Sequence, residues 1–155
     1  MIRVGLVGYG MAGRVFHGPL IAAVPGIAIA KVASGKPEAV RADLGDVSIV
    51  PTAQALIADA EINLVVVATP TATHAPLAIA ALQAGKHVVV EKPFATSLAE
   101  AREVVAVAKA QDRRVWVFHN GAGTATTWGS RPRSRRRRSD GWCISRRRTI
   151  AIART

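Results

Sequence analysis

A single cysteine, Cys143, stands in the 155 residues, so an internal disulfide and a metal site built from cysteines are both excluded. Half of the residues are hydrophobic, yet no uninterrupted apolar run approaches the roughly 20 residues that cross a bilayer. No basic segment precedes the first apolar run, Ile2–Val7, so the sequence predicts neither a membrane partner nor a secretory leader, and places the protein in the cytoplasm. His17, His87 and His119 keep no metal-like spacing with acids or with one another, and no metal is expected. Acids are scarce: 10 Asp and Glu against 21 Lys and Arg, a net charge of +11. Such a surplus suggests a nucleic-acid binder, but its distribution argues against one. Residues 1–120 hold 11 basic residues against 9 acidic, a net of +2, whereas 121–155 hold 10 against 1, a net of +9. Two chemically different segments share a chain whose length suits one domain and would be a tight fit for two.

From Met1 to Asn120, short β-branched runs alternate with alanine-rich stretches of helical period, the pattern of βαβ units on a parallel sheet. Strands are predicted at Ile2–Val7, Ile27–Ala33, Val47–Val50, Ile62–Ala68, His87–Val90 and Arg114–Phe118. The clearest helices are His74–Ala84, closed by Gly85, and Leu98–Gln111, with Ser97 as N-cap and Glu100 three residues on. Leu64–Val67 and Val88–Val90 are apolar on both faces, as in strands covered by helices on both sides. The expected fold is an α/β doubly wound parallel sheet of Rossmann type over residues 1–120, followed by a poorly ordered basic tail over 121–155.

Gly8-Tyr9-Gly10-Met11-Ala12-Gly13 follows the first strand and opens a segment that can be helical. In that context G-x-G-x-x-G is a dinucleotide fingerprint: Gly8 for the tight turn, Gly10 for backbone approach to a pyrophosphate, Gly13 for close helix–strand packing. The phosphates would sit on free N–H groups at the positive end of the helix. A glycine-rich turn without ligand is the alternative. At the end of the second strand, where an acid would bind the 2′-hydroxyl of NAD, the chain has Ser34-Gly35-Lys36. Ser34 can donate to a 2′-phosphate and Lys36 can supply charge, which favours NADP over NAD; that Lys36 merely solvates a loop stays open.

Together with Ala68-Thr69-Pro70 leading to His74, Ala84-Gly85-Lys86-His87-Val88, and Glu91-Lys92-Pro93 directly after the fifth strand, these residues resemble the Gfo/Idh/MocA family over residues 1–120. The resemblance implies an oxidoreductase that moves hydride between NADP or NAD and a sugar- or polyol-like small molecule. It places Lys92 at the reacting centre, where a desolvated ammonium orients the reacting hydroxyl. Thr69, Pro70, His74 and Glu91 then join the fingerprint as cofactor-binding residues. A lysine that only pairs with Glu91, and a structural histidine at position 74, are the alternatives. Oligomeric state stays open, a homo-oligomer included.

Family members continue past Asn120 into a second, mostly antiparallel domain that holds the substrate, and those similar to this chain continue with RRWDSDYLG. One coding of that string, read with its first base lost, translates as the Gly-Ala-Gly-Thr-Ala-Thr-Thr-Trp-Gly found at 121–129. The tail is therefore expected to be out of frame, and the chain to be truncated, binding cofactor with little turnover. A tail that binds nucleic acid through Arg135–Arg138 and Arg146–Arg148, and a nucleotide-binding module without catalysis, are the rival readings.

Overall fold

The computed structural model describes residues 1–119 and 151–152. The remainder of the basic tail, with its expected disorder and frame, lies outside the described residues. Among those described are strands β1 (Ile2–Val7), β2 (Ile27–Ala33), β3 (Ser48–Val50), β4 (Leu64–Val67), β5 (His87–Glu91), β6 (Val115–Phe118) and β7 (Ala151–Ile152). They form one sheet in the order β3-β2-β1-β4-β5-β6-β7. The first six run parallel, and β7 joins β6 antiparallel through Trp116↔Ile152 and Val117↔Ala151. The six-stranded parallel part is the doubly wound sheet that the alternating pattern predicts.

Strand chemistry sets the layering. Side chains alternate across a strand, so Val65 and Val67 of β4 enter one apolar cluster while Val66 enters another. The first cluster is closed by Leu56 and Ile57 of helix α3 (Ala53–Ile57), by Ala75, Ala78, Ala81 and Leu82 of α4 (His74–Gln83), and by Val104 and Ala108 of α5 (Leu98–Ala110). The second is closed by Ile21 of α1 (Gly18–Ala22) and Val40 of α2 (Pro37–Leu44). Both faces of the sheet are thus covered, as the two-sided apolar strands require.

The helix ends follow local chemistry. Thr52 Oγ1 accepts from Ala55 N at 3.2 Å, and Ser97 Oγ accepts from Glu100 N at 3.2 Å. The Glu100 carboxylate returns to the N–H of Thr96 at 2.8 Å, one residue ahead of the N-cap it was expected to serve. Gly85, at φ +76, closes α4: its N–H reaches Leu82 O at 2.9 Å while that of Lys86 reaches Ala81 O at 3.0 Å.

Predicted boundaries shift by one or two residues. The strand expected from Ile62 begins at Leu64, because Ile62 N closes a turn on Asp59 O at 3.2 Å and the Asn63 side chain accepts from Arg3 N at 2.9 Å. After Gly13 the expected helix is not regular. Ala12–His17 forms a π-type turn in which Gly18 N donates to Gly13 O, five residues back, before α1 begins with Pro19 in its first turn. Among the described residues, no helix is long and apolar enough to cross a membrane.

Candidate functional site

β1 lies between β2 and β4, and the chain leaves β1 towards one face of the sheet and β4 towards the other. At this reversal the strand ends open a crevice. A groove of about 360 Å³ occupies it, lined by Gly8, Gly10, Ser34, Lys36 and Thr69, with Pro51 directly after β3 and Ala53 at the start of α3. No acid lines this groove.

The three fingerprint glycines differ in what surrounds them. Gly8 has φ +93, and a Cβ there would meet the carbonyl oxygen of Ala68; a Cβ on Gly13 would meet the carbonyl oxygen of Gly8. Both are packing glycines that hold the loop against β4 and against itself. At Gly10 a Cβ would meet nothing within 4 Å. Two glycines build the turn and the third keeps its approach open, which is the arrangement a pyrophosphate needs.

The other residues of that stretch divide. Met11 is 75% exposed and Ala12 half-buried. Tyr9 is buried in the core cluster beside α2, and its hydroxyl donates to Asp43 Oδ2 at 3.3 Å. Arg14 takes the same carboxylate with both arms, Nε to Oδ2 at 2.6 Å and Nη2 to Oδ1 at 3.1 Å. Arg14 holds the Asp43 carboxyl below its ordinary range, while burial and then Asp43 push the Tyr9 phenol up, so it remains a donor. Arg14 and Asp43 carried no signal in the sequence beyond their charge, since 29 positions separate them.

Ser34 Oγ accepts from Lys36 N at 3.0 Å, which fixes the turn and leaves the hydroxyl proton free to point into the groove. Lys36 is exposed, and its backbone begins α2 without a side-chain cap.

Farther along the same edge lie Thr69–His74 and Glu91–Pro93. Thr73 Oγ1 approaches both Thr69 Oγ1 and Pro70 O at 2.7 Å, which rigidifies the turn after β4. His74 is 1% exposed, with Nδ1 at 2.8 Å from Pro93 O and Nε2 at 2.8 Å from Thr69 O. The Glu91 carboxylate is buried: Oε1 meets His17 Nε2 at 2.9 Å and Oε2 accepts from Lys92 N at 3.0 Å. Lys92 is exposed, and its side chain makes no hydrogen bond among the described residues. His17 was missed as a site residue because its partner lies 74 positions away. Among the described residues, no group of three or more His, Cys, Asp or Glu comes together as a metal site would require.

Burial lowers the pKa of His17, with attraction to Glu91 acting the other way and more weakly; burial, then Arg113 and Arg114, lowers that of His87 despite Asp112. Each of these histidines binds protons more weakly folded than unfolded, so stability is complete above about 6.5, the unfolded value. It is lost as pH falls from there towards the folded values. Thermal melts between pH 7.5 and 5 are expected to show a falling Tm. His17→Gln and His87→Gln should each shallow the slope; an unchanged slope in both would contradict the assignment.

A profile described as an oxidoreductase family with an NAD-binding Rossmann fold, GFO_IDH_MocA, matches residues 2–119. The oxidoreductase YdgJ of Escherichia coli K12 is 51% identical over 119 residues, which are 77% of this chain and 34% of that protein. IolW of Bacillus subtilis 168, a scyllo-inositol 2-dehydrogenase (NADP(+)), is 37% identical over 119 residues, 77% of this chain and 33% of IolW. The crystal structure of an oxidoreductase from Klebsiella pneumoniae superposes with a TM-score of 0.76 at 50% identity, over 78% of this chain and 35% of that one. The chain spans about a third of the length of the curated relatives it matches.

Proposed function

The chain belongs to the Gfo/Idh/MocA family of oxidoreductases, and from that membership we propose that residues 1–120 are the cofactor half of an enzyme that moves hydride between NADP and a carbinol or carbonyl carbon of a polyol or sugar. The observation that carries this reading is the groove itself: an open approach at Gly10, flanked by Ser34 and Lys36 and lined by no acid. Gly8, its own N–H taken by Ala33 O, would fix the turn, and backbone N–H groups from Tyr9 through Gly10, Met11 and Ala12 to Gly13 would hold the pyrophosphate. Ser34 would donate its hydroxyl proton to the 2′-phosphate, and the Lys36 ammonium would balance that charge. Thr69 lines the groove, with Pro70 next in the chain, and the nicotinamide would lie towards them. When bound, the cofactor would accept the hydride from a carbinol carbon or give it to a carbonyl carbon, and the protein supplies placement and electrostatics. The exposed Lys92 ammonium would orient the reacting hydroxyl and stabilise charge on its oxygen as the proton leaves.

The name of IolW supports a polyol as substrate and NADP as cofactor. Lys92 is the one reacting group we assign among the described residues. Hydride transfer needs the substrate held in near-attack geometry as well, so we expect this chain to bind cofactor with little turnover. Titration with NADPH and NADH by nicotinamide fluorescence, paired with turnover assays on scyllo-inositol, tests both halves. NADPH is expected to bind about 10–100-fold tighter than NADH, the worth of one or two charge-assisted hydrogen bonds. Ser34→Asp should reverse that order by repelling the 2′-phosphate and accepting from the 2′-hydroxyl of NADH. Equal affinities that Ser34→Asp leaves equal would remove the NADP assignment, and binding of neither would remove the cofactor reading.

A further inference from the structure

The Lys92 side chain makes no hydrogen bond among the described residues, while its neighbours on either side in the chain are each gripped by a buried histidine. On one side His17, 3% exposed, meets Glu91, 5% exposed, with Nε2 and Oε1 at 2.9 Å. The second carboxylate oxygen turns back to accept the N–H of Lys92 itself at 3.0 Å. On the other side the His74 ring spans two carbonyl oxygens, Pro93 O and Thr69 O, each at 2.8 Å.

The two histidines come from the two loops that flank the groove. His17 ends the π-type turn Ala12–His17 that contains Gly13, and His74 follows the Thr69–Thr73 turn. A π-type turn holds more residues per turn than an α-helix and so re-aims each side chain that follows it. Here it ends with His17 against the Phe118 ring, centroids 4.5 Å apart, and in reach of Glu91. Burying an imidazole or a carboxylate is costly unless its polar atoms find partners, and here each partner belongs to Glu91–Pro93 or to Thr69.

We propose that His17 and His74 are positioning residues, the two jaws of a clamp that fixes the Lys92 backbone to the loops lining the cofactor groove, an assignment that rests on the reading of Lys92 given above. The pyrophosphate turn and the lysine are then placed by one set of contacts, and a ligand that settles Gly8–Gly13 settles Lys92 with it. His74 serves the site through Pro93 and Thr69 rather than by touching the cofactor.

The test uses the full 155-residue chain, labelled with 15N, with amide exchange and chemical shift of Lys92 and Phe94 as readouts, free and with saturating NADPH. His17→Phe and His74→Phe keep an aromatic ring and remove the hydrogen bonds, while His17→Gln returns a donor. Ile21→Ala, a buried truncation on α1, controls for lost stability. Each Phe variant is expected to speed exchange at Lys92 or Phe94 by about tenfold, the scale of one hydrogen bond to a charged or buried group. Each should also abolish the NADPH-induced shift of the Lys92 amide while NADPH affinity stays within about threefold. His17→Gln should restore both readouts, and Ile21→Ala should disturb neither beyond its effect on Tm. Exchange and shifts in both Phe variants that match Ile21→Ala at equal Tm would overturn the clamp and leave the histidines as core packing. If wild type binds no NADPH, the cofactor reading falls, and the exchange rates in the free protein still decide the clamp.

Discussion

Gly13→Ala is expected to destabilise the protein by about 3 kcal/mol, lowering Tm by roughly 10 °C. The added methyl would run into the carbonyl oxygen of Gly8, and neither can rotate away, because a Cβ is placed by its own backbone and the oxygen is backbone itself. Gly8 is itself fixed: its N–H donates to Ala33 O at 2.9 Å, and its own flank meets Ala68 O. Relief therefore requires the π-type turn to lift from the sheet, which would expose Ile21 and uncover one side of Leu6. Core overpacking elsewhere is softened by side chains that change rotamer, and that route is closed here. Circular-dichroism melts of wild type and Gly13→Ala check the result; a Tm within about 2 °C of wild type would mean the turn is looser than its contacts imply.

Gly10→Val should give the opposite outcome, a protein with wild-type Tm and no useful affinity for NADPH or NADH. Nothing lies within 4 Å of the added Cβ, so the fold leaves open space where the new side chain begins. The ligand would meet it, because the branched group fills the space through which a pyrophosphate would approach the loop. Holding it off weakens two or more charge-assisted hydrogen bonds to backbone N–H groups, worth about 1.5–3 kcal/mol each. Affinity should fall by at least about 100-fold. Calorimetric titration beside a thermal melt separates the two variants: Gly13→Ala loses stability first, Gly10→Val loses only binding. Retained binding in a stable Gly10→Val protein would move the ligand elsewhere on the sheet.

The contrast between these glycines marks how far the sequence could be read. The pattern Gly8 to Gly13 was legible because apolar Ile2–Val7 precedes it, and the strand appears with those bounds. β2 was equally legible, since Ile27–Ala33 is a β-branched run ended by Ser34-Gly35. The strand expected over Ile62–Ala68 lost residues at its start, where the Asn63 side chain took up a turn contact that period alone cannot show, while the one expected over His87–Val90 gained Glu91. That Gly8 packs closely depends on Ala68, 60 positions further on and adjacent only after β1 and β4 pair. The links of His17 to Glu91 and of Arg14 to Asp43 are hidden in the same way. Charge and type are written locally, but partnership is a product of strand order. The π-type turn is hidden for another reason: in Ala12–His17 only Gly13 is a poor helix former, and beyond it only Pro19 hints that the pitch must change.

The groove is assembled from the ends of β1, β2, β3 and β4, drawn from stretches of chain about 20 residues apart. None of these stretches alone can offer the ligand more than a fragment of its contacts, so the unfolded chain has essentially no affinity for it. Occupancy is then thermodynamically equivalent to added folding free energy, about 2.7 kcal/mol when free ligand stands at 100 times Kd. Because the strands concerned are four neighbours running from the β3 edge to the centre of the sheet, that energy is spread over the cooperative unit they belong to. The abundance of the folded chain in a cell would then follow the supply of its dinucleotide, a mass-action dependence that arises from strand order alone.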